Sequence, residues 1–388
     1  MPSKRSWDIF CTVVDNYGDI GVCWRLARQL AAEHGLQVRL WVDNLASFGR
    51  LCPEVVPGQD AQRSHGVEIR WWREPFPAVE AADVVVEAFA CNPPASYVAA
   101  MVARRTKPVW INLEYLSAED WVQGCHRLPS PHPKLPLVKH FFFPGFVAGT
   151  GGLLVEQGLF EARERFRRSA TEQARFWQDM GLPAPRGGEA QVSLFCYPHP
   201  GVGALLRAWA CEAGPVRCLV PEGTATDALS TLFPAASLAP GAVLRLDSLE
   251  VRIFPFVAQE LYDRLLWACD FNLVRGEDSF VRAQWAARPL LWQIYPQEAG
   301  AHWPKLEAFL RLYCAGLAPE VAAAATALWL GWNKGDAAAV EAAWPSFWKY
   351  RQALRSHAER WAAQLARGGN LANNLVQFSE ILLEYKAL

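Results

Sequence analysis

Short apolar runs of strand length recur along this chain, and helical periodicity fills the gaps between them. Ile9 to Val14, Gln37 to Val42, Val67 to Trp72, the Val-rich stretch Asp83 to Glu87 and Pro108 to Leu113 each read as strands. Between the first two, Val22, Leu26, Ala27 and Leu30 fall on one helical face. Strands that alternate with helices need crossover connections, which points to a parallel sheet.

The alternation restarts after a break. Residues 181–190, Gly-Leu-Pro-Ala-Pro-Arg-Gly-Gly-Glu-Ala, cluster the residues that interrupt regular structure. Beyond them come a strand at 191–197, a helix from Val202 and a strand from Val216 to Val220. Leu244 to Leu246 and Val251 to Phe254 flank Asp247-Ser248 as a hairpin. A helix from Ala258 to Ala268, a strand from Phe271 to Val274, a helix from about Phe280 to Ala287 and a strand from Pro289 to Gln293 follow. From Trp303 onward only helices are expected, among them an amphipathic one over 345–367 and a last one from Leu375 to Leu388. A chain of 388 residues holds two domains on the prior of ~150 residues each. The expected division is 1–184, 185–370 and a terminal segment 371–388.

Earlier in the chain, 128–158 is rich in proline and glycine and carries Phe141-Phe142-Phe143, read either as a strand buried on both faces or as a partner surface. Leu159 to Met180 reads as one long helix whose arginines are interspersed with Glu161 and Glu164, hence a solvated face.

Composition narrows the class. With 52% hydrophobic and 20% charged residues the chain is globular. A formal charge of -1 provides no overall pull toward nucleic acid or an anionic membrane. Ten cysteines include no Cys-x-x-Cys pair, so buried thiols in a reducing compartment are expected, with no disulfide frame and no zinc site. Neither a secretory signal nor a spanning helix is visible, and the cytosol is the expected location.

Two loops carry chemistry. The first, Asp15-Asn16-Tyr17-Gly18-Asp19-Ile20-Gly21, links the first strand to the first helix. In an open α/β sheet ligands bind at the carboxyl ends of the strands. Gly-x-x-Gly before a helix suggests an anion site, but Asp15 and Asp19 would repel phosphate. They suit a cation or a group that must lose a proton; Asp19 as a simple helix cap is the competing reading. Glu87 and Glu114, just past strand ends on the same edge, are either further site acids or capping and solvated groups.

The second loop is Arg275-Gly276-Glu277-Asp278-Ser279, a strand exit into a helix. The helix N–H groups, Ser279 and Arg275 can hold phosphate, and Glu277 can accept from sugar or ribose hydroxyls. A capped helix with an Arg–carboxylate pair is the plainer alternative. Phe195, Tyr197, Phe256 and Gln259 fall near strand ends in the same half, where rings can stack on a base and an amide can read a pyrimidine edge.

These stretches, with Phe195-Cys196-Tyr197, Phe254-Pro255-Phe256-Val257-Ala258-Gln259 and Trp292-Gln293-Ile294-Tyr295-Pro296-Gln297, make the chain resemble the EarP family of bacterial protein-arginine rhamnosyltransferases over almost its whole length. The resemblance implies an α/β fold of GT-B type: two Rossmann-like domains facing a central cleft, an N-terminal one for the acceptor and a C-terminal one for the nucleotide sugar, with the terminal helix crossing back to the first. It implies inverting, metal-independent transfer of L-rhamnose from dTDP-β-L-rhamnose to one arginine of elongation factor P, which activates that factor for translating polyproline stretches. The N-terminal domain of elongation factor P would be the docking partner, with no resident cofactor. By the same resemblance Phe195 and Phe256 flank the thymine, Tyr197 and Gln259 help hold the nucleotide, and Arg275, Glu277, Asp278 and Ser279 hold ribose and diphosphate.

Asp15, Asp19 and Glu277 form the candidate catalytic set. A guanidinium holds its proton to very high pH and lacks a free lone pair, so a carboxylate must polarise it and take its proton as the C–N bond forms. Asp19 is assigned as that base and Asp15 as the orienting acid, and the exchange of the two roles stays open. The rival readings are a GT-B enzyme with another acceptor and a non-catalytic nucleotide-sugar binder. A dehydrogenase is disfavoured because no Gly-x-Gly-x-x-Gly follows the first strand.

Overall fold

The computed structural model describes residues 5–15 and 17–387; Asn16 of the first loop lies outside the described residues. The chain forms two compact units, residues 1–157 with 365–388, and residues 158–364.

The first unit runs β1 (Ser6–Cys11), α1 (Gly18–Glu33), β2 (Gln37–Val42), α2 (Leu45–Leu51), β3 (Ala61–Ser64), β4 (Val67–Trp71), β5 (Val84–Ala88), α3 (Ala95–Ala103), β6 (Val109–Leu113), α4 (Trp121–Cys125), β7 (Pro129–Pro131) and β8 (Val138–Phe142). Its eight-stranded sheet has the order β3-β4-β2-β1-β5-β6-β8-β7. The hairpin pairs at the two edges are antiparallel and every inner pair is parallel. Phe10, Trp41, Val85, Tyr97, Met101 and Trp110 pack into one core on the face that carries α3. Charge inside the sheet is paired. Asp8 and Arg39 are register partners on β1 and β2, and Arg39 reaches both Asp8 oxygens at 2.6 Å while Tyr97 donates to one of them.

The first strand lies three residues earlier than the apolar run suggests. Pairing with β2 and β5 ends at Cys11, and Thr12 to Val14 belong to the loop. The helix after it is also more buried than its periodicity implies, with Asp19 to Ala27 all enclosed. Its outer side meets the last helix of the chain, α15 (Leu371–Ala387).

The second unit runs α5 (Leu159–Arg168), α6 (Ala170–Asp179), β9 (Ala190–Leu194), α7 (Gly201–Ala210), β10 (Val216–Pro221), α8 (Thr226–Leu232), β11 (Val243–Leu246), β12 (Leu249–Phe254), α9 (Gln259–Ala268), β13 (Phe271–Arg275), α10 (Asp278–Trp285), β14 (Leu290–Gln293), α11 (His302–Cys314), α12 (Pro319–Lys334), α13 (Ala337–Lys349) and α14 (Arg351–Ala366). The six strands take the order β11-β12-β10-β9-β13-β14, parallel except for the expected β11–β12 hairpin. Trp24 on α1, Trp267 on α9 and Trp285 on α10 are buried core residues.

Three expectations change. The span 159–180 is two helices, because Ser169 adopts extended backbone and its hydroxyl caps α6 by accepting from Glu172 N at 3.1 Å. Segment 345–367 is likewise interrupted at Tyr350, whose N–H is shared between the carbonyls of Ser346 and Phe347. The proline- and glycine-rich stretch 181–190 falls inside the second unit rather than between units, because α5 and α6 pack on α9 through Phe166, Phe176 and Trp267.

α15 is held to the first unit by specific contacts. Leu371 N donates to Leu153 O at 3.0 Å, Asn374 to Gly151 O at 3.0 Å, and Lys386 to Pro108 O at 2.6 Å. Gly152 makes this seam possible. Its φ is +77°, and a Cβ there would stand 2.5 Å from Gly369 O. Gly152→Ala is therefore expected to cost more than ~1 kcal/mol, and amide exchange should accelerate in α15 while α7 keeps its protection.

Candidate active site

In both sheets the strand order reverses beside the first strand of the unit, between β1 and β5 and between β9 and β13. Neighbouring crossovers leave in opposite directions there, so the carboxyl ends of those strands border a crevice. The two sequence-predicted clusters occupy these places, one on each unit.

On the first unit residues 13–15, after β1, are pinned by carboxylates. Val13 N–H donates to Asp43 Oδ1 at 2.9 Å, and the N–H groups of Val14 and Asp15 both donate to Asp19 Oδ2 at 2.8 Å. Gly18 N–H closes the turn onto Asp15 O at 2.6 Å. Three successive loop N–H groups are thus already engaged by carboxylates and are not open to an anion. A Cβ on Gly18 would meet Asp15 Oδ2 at 2.7 Å, so a larger residue there would displace the Asp15 carboxylate.

Asp19 is 3% exposed, whereas Asp15 is half-buried. Burial raises the Asp19 pKa above the usual 3.8; the two N–H donors oppose this and the nearby Asp15 charge adds to it. The other Asp19 oxygen accepts from Tyr115 Oη at 3.3 Å, and Phe89 stacks on Tyr115 with ring centroids 4.4 Å apart. Phe89 and Tyr115 follow β5 and β6, so the site takes side chains from three strand ends. Neither residue is singled out by the sequence pattern. Asp19 is not the helix cap: Tyr17 holds the N-cap position of α1, and Asp19, in the first turn, accepts from N–H groups of the preceding loop.

Glu87 is not a site acid. It is fully buried on β5, paired with Lys139 and bonded by Trp110 Nε1 at 3.0 Å. Glu114 accepts from Asn112 at 2.5 Å and is half-buried. Among the described residues one trio could ligate a metal: Cys52, Glu54 and His65, whose ligand atoms lie within 4.8 Å of each other. It is built by the end of α2 and the β3–β4 hairpin and includes neither Asp15 nor Asp19.

On the second unit the predicted residues gather along the carboxyl edge of the sheet. Phe195 and Tyr197 follow β9, Phe256 lies between β12 and α9, Gln259 opens α9, and Arg275 ends β13. Glu277 stands at the N-cap position of α10, with Asp278 and Ser279 in its first turn. The Arg275 guanidinium lies over both rings, 4.4 Å from the Phe195 centroid and 4.5 Å from that of Tyr197. Ser279 Oγ accepts from Arg275 N at 3.2 Å and donates to Arg275 O. Gln259 Nε2 donates to Asp278 Oδ2 at 2.9 Å. Gly276, at φ +63°, turns its carbonyl to Trp292 Nε1 at 2.7 Å.

Four further residues belong to this cluster. Gln293 accepts from Tyr197 N at 2.7 Å, Tyr295 packs edge-on to Tyr197, Glu222 accepts from Phe256 N at 3.4 Å, and Tyr262 meets Phe195 with centroids 5.9 Å apart. The run from Trp292 to Gln297 signals two of them, and the helical spacing of Tyr262 from Gln259 signals a third.

The model of the elongation-factor P (EF-P) rhamnosyltransferase family EarP matches residues 7–380. Protein-arginine rhamnosyltransferases of Pseudomonas aeruginosa and Pseudomonas putida are 51% and 50% identical, covering 96% and 97% of this chain and 98% of their own lengths. A solved structure described as the basis for EarP-mediated arginine glycosylation of translation elongation factor EF-P is 36% identical, with a TM-score of 0.70, over 97% of this chain and 99% of the other. The spinosyn rhamnosyltransferase SpnG, 12% identical at a TM-score of 0.54 over 96% of this chain and 99% of its own, shares the fold. The architecture is of GT-B type, built from two Rossmann-like units. Among the described residues no helix is long and apolar enough to cross a membrane.

The raised Asp19 pKa has a sign that can be checked. Because the folded pKa exceeds the unfolded one, the group's stabilising contribution is complete below the unfolded value and is lost as pH rises through the folded value. Asp19→Asn is therefore expected to raise the melting temperature more at neutral pH than at pH near the usual aspartate value, as thermal melts across that range would show.

Proposed function

This chain belongs to the EarP family of elongation-factor P rhamnosyltransferases, and from that membership we propose that it transfers L-rhamnose from dTDP-β-L-rhamnose to an arginine side chain of elongation factor P, with inversion. In this reading the factor's N-terminal domain docks on the first unit, and the reaction takes place in the cytoplasm. The observation that carries the reading on this chain's own residues is the enclosed Asp19 carboxylate, fixed by two N–H groups beside the half-exposed Asp15.

The acceptor guanidinium is cationic and its nitrogen electrons are delocalised. Asp15 pairs with that charge and orients the group. Asp19, made more basic by burial, takes the proton through the oxygen that Tyr115 touches. The freed nitrogen pair forms the N–C1 bond on the face opposite the leaving group, and the C1–O bond breaks with its electrons passing to dTDP. Tyr115 and Phe89 border this step and fix where the carboxylate points.

Donor binding is assigned to the second unit. Phe195 and Phe256 flank the thymine, Tyr197 and Gln259 position the nucleotide, and Glu277, Asp278 and Ser279 hold the ribose and phosphates with Arg275. Glu277 is also assigned to catalysis, at the sugar hydroxyls. Arg275 rests on two ring faces, where it can turn toward a diphosphate without leaving an ion pair. With the first N–H groups of α10 it meets the charge that develops on the leaving group. That charge-handling is the reason for expecting no metal requirement.

Incubation with dTDP-β-L-rhamnose and folded elongation factor P should add one deoxyhexose to an arginine-containing peptide, read by mass spectrometry, and a chelator should leave the rate unchanged. Transfer to some other acceptor instead would move the assignment to a different GT-B activity. Asp19→Asn should lower turnover by roughly a hundredfold or more while dTDP affinity is kept. Arg275→Ala should weaken dTDP binding by about ten- to a hundredfold, the size of a lost charge-assisted hydrogen bond.

A further inference from the structure

Among the described residues of the second cluster, Tyr262 is the one with a buried side-chain polar atom that lacks a hydrogen-bond partner. It lies on α9 one turn after Gln259, on the side that meets Phe195. Its ring is edge-on to Phe195 at 68°, and its hydroxyl is buried with no hydrogen-bond partner among the described residues. Other polar groups of the cluster are committed: Gln259 to Asp278, Ser279 to the backbone of Arg275, and the Tyr197 N–H to Gln293.

A buried hydroxyl without a partner costs free energy that a phenylalanine at the same position would not. Phenylalanine has the same ring and would keep the Phe195 contact. Retention of the oxygen needs a reason outside the contacts that hold α9 in place. Burial pushes the phenol pKa up and the Asp278 charge adds to it, so the hydroxyl remains a protonated donor at any working pH.

We propose that Tyr262 is a positioning residue for the donor, its hydroxyl donating to an acceptor atom of the nucleoside half of a pyrimidine nucleoside diphosphate. The nucleoside half is favoured over the diphosphate because Tyr262 packs on Phe195 and shares a helix face with Gln259. The diphosphate holders Arg275 and Ser279 come from β13 and α10. The inference rests on the donor assignment of the second unit.

The test is Tyr262→Phe in the full chain, with thermal melts and calorimetric titrations of dTDP, thymidine and pyrophosphate. The free variant should melt at or above the wild-type temperature. Its dTDP and thymidine dissociation constants should both rise roughly three- to tenfold, with pyrophosphate binding unchanged. In turnover, the KM for the donor should rise while kcat holds. A variant that melts lower and binds dTDP as wild type does would assign the hydroxyl to an internal partner and overturn the proposal. A loss confined to pyrophosphate would overturn the nucleoside assignment. Failure of the donor reading itself looks different: wild-type protein would not bind dTDP, and Arg275→Ala would change nothing.

Discussion

Asp19 reaching back to two N–H groups of its own loop is the contact on which the first site depends. Without it, the loop from Thr12 to Tyr17 would offer Val14 and Asp15 amides to solvent and leave Asp15 without a fixed direction. The same contact sets the chemistry. Its donors draw the carboxylate into the protein, burial then raises its pKa, and the two effects compete within one side chain. Stability and basicity are therefore set together, and a neutral residue that eased the burial would also remove the carboxylate.

A shared rule places both clusters. Each sheet reverses strand order beside its first strand, so each has a crevice at the carboxyl ends of its central strands. The contents differ. On the first unit the loop amides are consumed by Asp19 and Asp43, and the crevice is acidic. On the second, a guanidinium rests on aromatic faces next to a helix start, and the crevice suits an anionic, ring-bearing ligand. The difference follows from which backbone groups each loop leaves available.

Buried charge elsewhere is structural. Asp8 with Arg39 and Tyr97, Glu87 with Lys139 and Trp110, and Asp263 with Arg282 are enclosed groups with their hydrogen-bond needs met. Removing one partner from such a set leaves an uncompensated charge. Glu87 shows why strand-end position alone does not identify a site acid: period-two alternation sends adjacent residues to opposite faces, and the sequence does not say that Lys139, 52 residues away, comes to meet it.

What the amino-acid order determined is the local part: strands by their apolar runs, the β11–β12 hairpin by its turn, and the two loops by the residue types at their strand exits. These depend on neighbours a few positions apart, and family-specific runs such as Arg275 to Phe280 carry the likeness in the sequence itself. Only the tertiary structure decided that 159–180 breaks at Ser169 and that 181–190 is internal to the second unit. It also decided that α1 is buried under a helix from the far end of the chain, and that Phe89, Tyr115 and Tyr262 join the sites. Each of those outcomes rests on contacts between residues distant in sequence, where burial and hydrogen-bond competition, not local preference, choose among conformations that the chain leaves open.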